Sequence, residues 1–144
     1  MNVHSMLSQK GDKVVTARPD TTVIAASRLL KLERIGSVVI SSDGVRVQGI
    51  LSERDIVRGL VERGAELLEM PVSEIMTRTV TTCAPDDDIQ DVMSKMTRGR
   101  IRHLPVVENG RLRGIISIGD VVKNRLEDLE TETSVLRDYI VGRA

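Results

Sequence analysis

Apolar and polar positions follow the same order twice along this chain. Each repeat opens with a short apolar stretch, at residues 14–16 and 80–82, that ends in Thr and precedes a proline. Proline cannot donate to a continuing ladder, so each stretch is predicted to be a strand that ends there. Apolar residues then recur at helical spacing: Val23, Ala26, Leu29 and Leu30, and Ile89, Val92, Met93 and Met96. The polar residues before them, 20–22 and 86–88, are predicted to cap two helices.

Two more strands and a second helix complete each repeat. Apolar stretches flank turn dipeptides in both repeats: 37–40 and 47–51 around Asp43-Gly44, and 103–107 and 112–116 around Asn109-Gly110. Asp-Gly and Asn-Gly are strong hairpin signals, so each pair is predicted to be an antiparallel hairpin. Ser52 and Ser117 then begin the second helices. The predicted fold is α/β (α+β): two β-α-β-β-α units packed sheet to sheet with pseudo-two-fold symmetry.

Sliding the sequence along itself gives the same repeat residue by residue. At an offset of 66, Thr16, Pro19, Asp20, Arg34, Ile35 and Gly44 coincide with Thr82, Pro85, Asp86, Arg100, Ile101 and Gly110. At an offset of 65, Gly49, Ile50, Ser52, Asp55 and Val57 coincide with Gly114, Ile115, Ser117, Asp120 and Val122. The chain is therefore two copies of a unit of about 50 residues, with one residue deleted in the second turn.

The repeats divide the chain into segments. We expect a helical lead-in (1–12), repeat 1 (13–66), a linker (67–78), repeat 2 (79–130) and a helical tail (131–144). The lead-in and the linker precede the two repeats in the same way. Apolar residues continue at helical spacing from Val121 to Ile140, beyond the length of the first repeat's helix. Such a tail either forms a partner surface, most simply in a dimer, or folds back over its own core.

Composition excludes several kinds of function. The 144 residues carry no net charge, one Cys and two His, which excludes an internal disulfide and a zinc-ligand set. The acidic residues 86–88 are assigned to helix capping rather than to a metal. No stretch reaches the roughly 20 apolar residues that span a bilayer, and the polar start lacks the pattern of a secretory signal. We therefore expect a cytoplasmic protein with no membrane partner.

The near absence of aromatic residues restricts the ligands further. The chain has one Tyr and no Phe or Trp, whereas modules for single-stranded nucleic acid stack bases on aromatic rings. A planar ligand must therefore be held between aliphatic side chains and backbone. Paired carboxylates, a Ser-His-Asp set and a phosphate-loop signature are also lacking, so the sequence does not indicate an enzyme.

The two units resemble CBS domains, and the chain resembles a stand-alone tandem CBS pair, also called a Bateman module. The resemblance rests on the strand-Thr-x-x-Pro openings, Gly-Ile-Leu-Ser-Glu-Arg-Asp at 49–55, Arg-His-Leu-Pro-Val-Val at 102–107 and Gly-Ile-Ile-Ser-Ile-Gly-Asp at 114–120. It implies a non-catalytic regulatory module that binds AMP, ADP, ATP, NAD(H) or S-adenosylmethionine in clefts between the repeats. It also implies a disc-shaped homodimer and a separate, unknown protein target.

The Ser-x-x-Asp element of each repeat is the main candidate for ligand contact. A helix N-terminus beside Ser52 or Ser117 suits a phosphate, and Asp55 or Asp120 one turn later suits a ribose diol. The resemblance implies these same roles. The alternative is a capping box, in which both residues bond only to their own helix.

An adenine ring would need an apolar slot. The candidates for it are Val38, Ile50, Leu104, Pro105 and Ile115, with plain core packing as the alternative. Thr16 and Thr82 either bond a nucleotide or cap a turn.

Basic residues distinguish the two repeats. Arg98, Arg100, Arg102, His103, Arg111 and Arg113 lie close together in repeat 2. Repeat 1 has Gly36 and Ser37 at the positions of Arg102 and His103. We predict that the two sites differ and that the Arg102/His103 site favours the more phosphorylated ligand. Arg54 either reaches phosphate or faces water.

Two alternatives to a nucleotide-binding module stay open at this stage. The arginines of residues 98–113 form either a solvated surface or a nucleic-acid contact, and the latter predicts binding that weakens steeply with salt. The other alternative is a structural dimer whose clefts bind no ligand.

Overall fold

A computed structural model describes residues 1–142 and contains the two predicted units. The elements in chain order are α1 (Val3–Lys10), β1 (Thr16–Ala17), α2 (Val23–Glu33), β2 (Ser37–Ile40), β3 (Gly49–Ser52), α3 (Glu53–Arg63), 3-10 turns at Gly64–Glu69 and Val72–Glu74, α4 (Ile89–Gly99), β4 (His103–Glu108), β5 (Arg111–Ser117) and α5 (Ile118–Val141). The mixed α and β fold with two repeats is confirmed. Residues 143 and 144 of the predicted tail lie outside the described residues.

Each repeat has its own small sheet. In repeat 1, β1 pairs in parallel with β2, and β2 pairs antiparallel with β3. In repeat 2, β4 and β5 form an antiparallel pair, and the predicted opening strand is reduced to one parallel bridge between Cys83 and Val106. The predicted caps are present: the Thr22 hydroxyl accepts a hydrogen bond from the Ala25 amide, and the Asp88 carboxylate accepts one from the Gln90 amide.

The two predicted hairpins differ in the structure. Asn109 and Gly110 both have positive φ, 52° and 76°, as a two-residue hairpin turn requires. The predicted tight turn at Asp43 is wrong, because β3 begins at Gly49 rather than at residue 47. The Asp43 carboxylate instead accepts hydrogen bonds from the Val45 and Arg46 amides and holds a longer loop. These amides lower the pKa of Asp43 to about 2.

The lead-in of each repeat packs into the other repeat. Helix α1 lies in the repeat 2 core, whose buried residues are Val3, Met6, Leu7, Cys83, Ile89, Val92, Met96, Leu104, Val106, Ile116 and Val121. The linker lies in the repeat 1 core, whose buried residues are Ala17, Val23, Ala26, Leu30, Val38, Ile40, Leu51, Leu67, Val72 and Met76. The segment that precedes each repeat therefore completes the hydrophobic core of the other repeat. We call this arrangement the exchange of the lead-in segments.

Two equivalent glycines permit this exchange. A Cβ on Gly114 would lie 2.7 Å from Cδ2 of Leu7, and a Cβ on Gly49 would lie 2.7 Å from Sδ of Met76. At Gly49 the carbonyl oxygen of Thr77 would be only 3.1 Å away as well. A side chain at Gly49 would press on the backbone of the exchanged segment, whereas one at Gly114 would require the Leu7 side chain to move.

We predict that Gly49→Ala destabilises the protein by about 1–3 kcal/mol, because the added methyl group overpacks against Met76 and the Thr77 backbone. Urea unfolding measures this difference. Gly119→Ala is the control, since the nearest atom to its Cβ is 3.6 Å away and Ala favours a helix. Equal unfolding midpoints for the two variants would contradict the role assigned to the glycine.

Candidate ligand-binding clefts

A cavity of about 350 Å³ lies between the two repeats. Its lining residues are Lys10, Lys13, Val14, Val15, Arg34, Ile35, Gly36, Ser37, His103, Ile115, Ser117 and Asp120. We call it the Asp120 cleft. It brings together six of the predicted site residues: Gly36, Ser37, His103, Ile115, Ser117 and Asp120.

The Ser117–Asp120 pair both caps α5 and faces the cavity. The Ser117 hydroxyl accepts a hydrogen bond from the Asp120 amide at 3.1 Å, and the Asp120 carboxylate accepts one from the Ser117 amide at 2.9 Å. Ser117 and Asp120 therefore form the capping box that the alternative interpretation predicts. The Asp120 side chain nevertheless keeps 23% of its surface exposed. A capping residue with free surface in a cavity is still able to accept further hydrogen bonds.

Lys10 reaches the Asp120 carboxylate from the end of α1. Its ammonium group donates to a carboxylate oxygen of Asp120 and, at 2.7 Å, to the carbonyl oxygen of Ile115. Burial raises the pKa of Asp120, but the hydrogen bonds from Lys10 and the Ser117 amide outweigh it, so the pKa lies below its ordinary value. Asp120 is therefore ionised at neutral pH and partnered by a cation whose side chain is 31% exposed.

The equivalent carboxylate in repeat 1 has a different partner. Asp55 forms the same capping box with Ser52, and its other oxygen accepts a 3.3 Å hydrogen bond from the Thr77 hydroxyl. The Thr77 backbone also pairs with Ile50 in both directions, at 2.9 and 3.0 Å. Asp55 is a buried residue, 9% exposed as a whole. The partner of Asp55 is therefore the neutral hydroxyl of Thr77, a residue whose backbone is hydrogen-bonded to Ile50. The partner of Asp120 is the charged ammonium group at the end of the long Lys10 side chain.

Ser37 and His103 lie at the junction of the repeats in the Asp120 cleft. The Ser37 side chain is 4% exposed, and its hydroxyl oxygen has no hydrogen-bond partner among residues 1–142. Burial and the Lys10 charge lower the pKa of His103 below its ordinary value, although Glu53 and Asp120 raise it. The imidazole is therefore neutral at pH 7. Gly36 makes room for this ring, because a Cβ there would lie 3.3 Å from its Cε1.

The positive charge of the cleft does not come from the arginines of repeat 2. Lys10, Lys13 and Arg34 supply it, from the lead-in and repeat 1. Arg102 is exposed and is absent from the cleft lining, and His103 is neutral. Arg98, Arg100, Arg111 and Arg113 are exposed as well, as the solvated-surface alternative requires. Sequence comparison of the repeats missed Lys10 because it lies in the lead-in, and missed Lys13 because its counterpart in repeat 2 is Thr79.

The remaining predicted site residues lie elsewhere. Val38 and Leu104 are fully buried in the two cores, as their alternative assignment states. Pro105 is buried, and its carbonyl accepts a hydrogen bond from the Cys83 amide. Arg54 is exposed and donates to the Arg100 carbonyl at 3.5 Å.

The two predicted threonines are half-buried, and the backbone of each has a partner. Thr16 pairs with Val39 in the repeat 1 sheet, and the Thr82 carbonyl accepts a hydrogen bond from Lys95. In residues 1–142 no three His, Cys, Asp or Glu side chains are grouped as metal ligands would be. Over the same residues, no helix has the length and apolar character to cross a membrane.

Solved structures of CBS-domain proteins resemble this chain, and two of these proteins were solved with adenosine compounds. The chain is 47% identical to the CBS-domain protein ATU1752 of Agrobacterium tumefaciens, with a TM-score of 0.83 over 87% of this chain and 99% of that one. It is 29% identical to PAE2072 of Pyrobaculum aerophilum, which was solved with AMP (TM-score 0.78; 92% and 99% covered). It is 25% identical to the CBS pair of MJ0100, which was solved with 5'-methylthioadenosine and S-adenosylmethionine (TM-score 0.79; 89% and 98% covered).

Sequence relatives and the family model agree with these structures. An uncharacterized 17.7 kDa protein of Acidianus ambivalens is 34% identical over 80% of this chain and 69% of its own length. The CBS domain-containing protein CBSCBSPB5 of Arabidopsis thaliana is 30% identical over 82% of this chain, which spans only 22% of that relative. The CBS domain model matches residues 10–62 and 72–127. The chain therefore belongs to the CBS domain family and contains two CBS domains in tandem.

Proposed function

We propose that this CBS pair is a regulatory module that binds an adenosine-containing ligand in the Asp120 cleft and catalyses no reaction. The observation that carries the proposal is an ionised, partly exposed carboxylate, that of Asp120, in a cavity between the two repeats that Lys10 and Lys13 also line. The adenosine compounds bound by PAE2072 and MJ0100 support this ligand class.

Each part of a nucleotide has a complementary group in the cleft. The Asp120 carboxylate accepts two hydrogen bonds from a ribose diol. Lys10, Lys13 and the N-terminus of α5 favour a phosphate. An adenine ring packs between aliphatic side chains, because the cleft lining has no aromatic residue other than His103; the aliphatic residues are Val14, Val15, Ile35 and Ile115.

Lys10 makes the cleft selective for phosphorylated ligands. Its ammonium donates to Oδ2 of Asp120, so a ribose diol that bonds both carboxylate oxygens competes with it there. A ligand that only displaces Lys10 leaves a charge without its partner, which costs binding energy. A nucleotide restores the pairing by placing its phosphate beside the displaced ammonium. AMP is therefore favoured over adenosine.

The two clefts are proposed to be unequal. At Asp120 the protein donors, Lys10 and the Ser117 amide, share one carboxylate oxygen. At Asp55 both oxygens accept hydrogen bonds, one of them from the Thr77 hydroxyl beside a paired backbone segment. The Asp120 cleft, which contains His103, is therefore the tighter site and the one that favours phosphorylated ligand. AMP, ADP, ATP, NAD(H) and S-adenosylmethionine are the candidate ligands.

A regulatory role also requires an output. Ligand shifts a conformational or binding equilibrium only if it binds the two states with different affinity. We propose that the output is the affinity of a homodimer for a separate protein target in the cytoplasm.

A thermal-shift panel with the five candidate ligands tests ligand binding itself. A ligand present at 100 times its dissociation constant is expected to stabilise the protein by about 2.7 kcal/mol. AMP should give a larger shift than adenosine. No shift with any of the compounds would refute the proposal, and tight, salt-sensitive binding of RNA instead would favour the nucleic-acid alternative.

Asp120→Asn is expected to weaken AMP binding by about 10- to 100-fold, because the amide accepts fewer hydrogen bonds from a ribose and carries no charge. Calorimetric titration measures the change. Asp55→Asn is the matched control, since it alters the equivalent capping box in the covered position. If both substitutions lowered stability and neither altered AMP affinity, the two carboxylates would serve only as caps.

Lys10→Met is expected to weaken AMP binding about tenfold, because one charge-assisted contact to phosphate is lost. The same variant should bind adenosine at least as tightly as the unaltered chain, since Asp120 is no longer occupied. Lys31→Met, on an exposed lysine outside this cleft, is the control. Equal losses for AMP and adenosine would contradict the assigned role of Lys10.

A further inference from the structure

Helix α5 extends past the repeat and stays exposed. It has 24 residues, Ile118–Val141, and every residue from Arg125 to Gly142 is exposed. The tail therefore does not fold back over its own core. Eight large apolar side chains on it are more than two-fifths exposed, and four of them, Leu126, Leu129, Leu136 and Ile140, recur along one stripe of the helix. Exposed apolar residues in such a row are typical of a surface that another molecule covers.

The spacing of these residues is that of a coiled coil. Residues 122, 126, 129, 133, 136 and 140 are Val, Leu, Leu, Thr, Leu and Ile, and the intervals alternate between four and three. This is the a/d repeat of a two-stranded coiled coil, with Leu126, Thr133 and Ile140 at a and Val122, Leu129 and Leu136 at d. The repeat is self-complementary, so a second copy of the same helix is a suitable occupant.

Charges beside this seam indicate the direction of pairing. In a parallel coiled coil a g residue lies beside the e residue five positions later on the other helix. Arg125 is then opposite Glu130 of the second copy, and Glu132 is opposite Arg137 of the second copy. Two-fold symmetry repeats both pairs, and all of them join opposite charges.

The antiparallel arrangement with the same overlap is unfavourable. It places Leu126 of one helix level with Leu136 of the other, and the helices then cross near residue 131. Glu130 lies beside Glu130 of the second copy, and Glu132 beside Glu132 of the second copy. Lys123 also lies beside Arg137 of the second copy. Like charges in these positions disfavour that orientation.

We propose that α5 pairs with α5 of a second copy as a parallel, in-register coiled coil over residues 122–140. The coil begins at Val122, two residues after Asp120 on the same helix, so the two Asp120 clefts of a dimer lie at the same end of the coil. In the dimer, the exposed a and d side chains of each α5 are buried against those of the other copy.

Disulfide trapping tests both the contact and its direction. In the parallel arrangement residue 133 faces residue 133 of the second copy, so Thr133→Cys is expected to form an intermolecular disulfide almost completely under mild oxidation. Val135→Cys, on the exposed outer face of the same helix, is the control and should cross-link at least tenfold more slowly. The natural Cys83 does not compete, because burial raises its pKa to about 11.

Charge exchange in the Thr133→Cys background gives a second measurement. Glu132→Arg is expected to slow cross-linking several-fold, because it faces Arg137 of the second copy. Adding Arg137→Glu should restore the rate. These two residues are five apart and therefore do not pair within one helix. The proposal is refuted if Thr133→Cys fails to cross-link, if Val135→Cys cross-links equally fast, or if the double exchange fails to restore the rate.

Discussion

Neither CBS repeat has a complete hydrophobic core of its own, and this constraint determines where the two segments that precede the repeats are packed. Helix α1 completes the core of repeat 2, and the linker completes the core of repeat 1. The absence of side chains at Gly49 and Gly114 allows Met76 and Leu7 to approach the two sheets at equivalent positions. A unit of about 50 residues is too small to be stable alone, so the exchange makes the two repeats one structure.

The exchange also places one residue of each lead-in on a ligand-type carboxylate. The linker brings the Thr77 hydroxyl to Asp55, and the end of α1 brings the Lys10 ammonium to Asp120. The repeats themselves are nearly symmetrical here, with the same Ser-x-x-Asp capping box. The two clefts differ because of residues outside the repeated units. The carboxylates themselves are equivalent, but their partners differ in charge and in how far they cover the carboxylate.

Local features of the fold were predictable from the sequence. The repeat, the caps at Thr22 and Asp88 and the turn at Asn109 each depend on residues close together in the chain. The longer loop at Asp43 was not predicted. The Asp43 carboxylate accepts hydrogen bonds from the Val45 and Arg46 amides, which the sequence assigned to a two-residue turn and the start of the next strand.

The candidate site was predicted only in part. Ser117 and Asp120 were predicted because the Ser-x-x-Asp motif occurs in both repeats. At the N-terminus of α5 these two residues both cap the helix and line the cavity. Lys10 acts on Asp120 across 110 positions of sequence, so no local pattern indicates it. The arginine-rich stretch suggested a different source of charge, but its arginines lie at the end of α4, before β4 and on β5, and all of them are exposed.

The central claim is that the two clefts differ because one carboxylate is accessible and the other is covered. The stoichiometry of AMP binding, measured by calorimetric titration of the full chain, tests it most directly. The account predicts one tight site per chain, with any second site at least tenfold weaker. Two equal sites per chain would contradict it, and so would a single site that survives Asp120→Asn but is lost in Asp55→Asn.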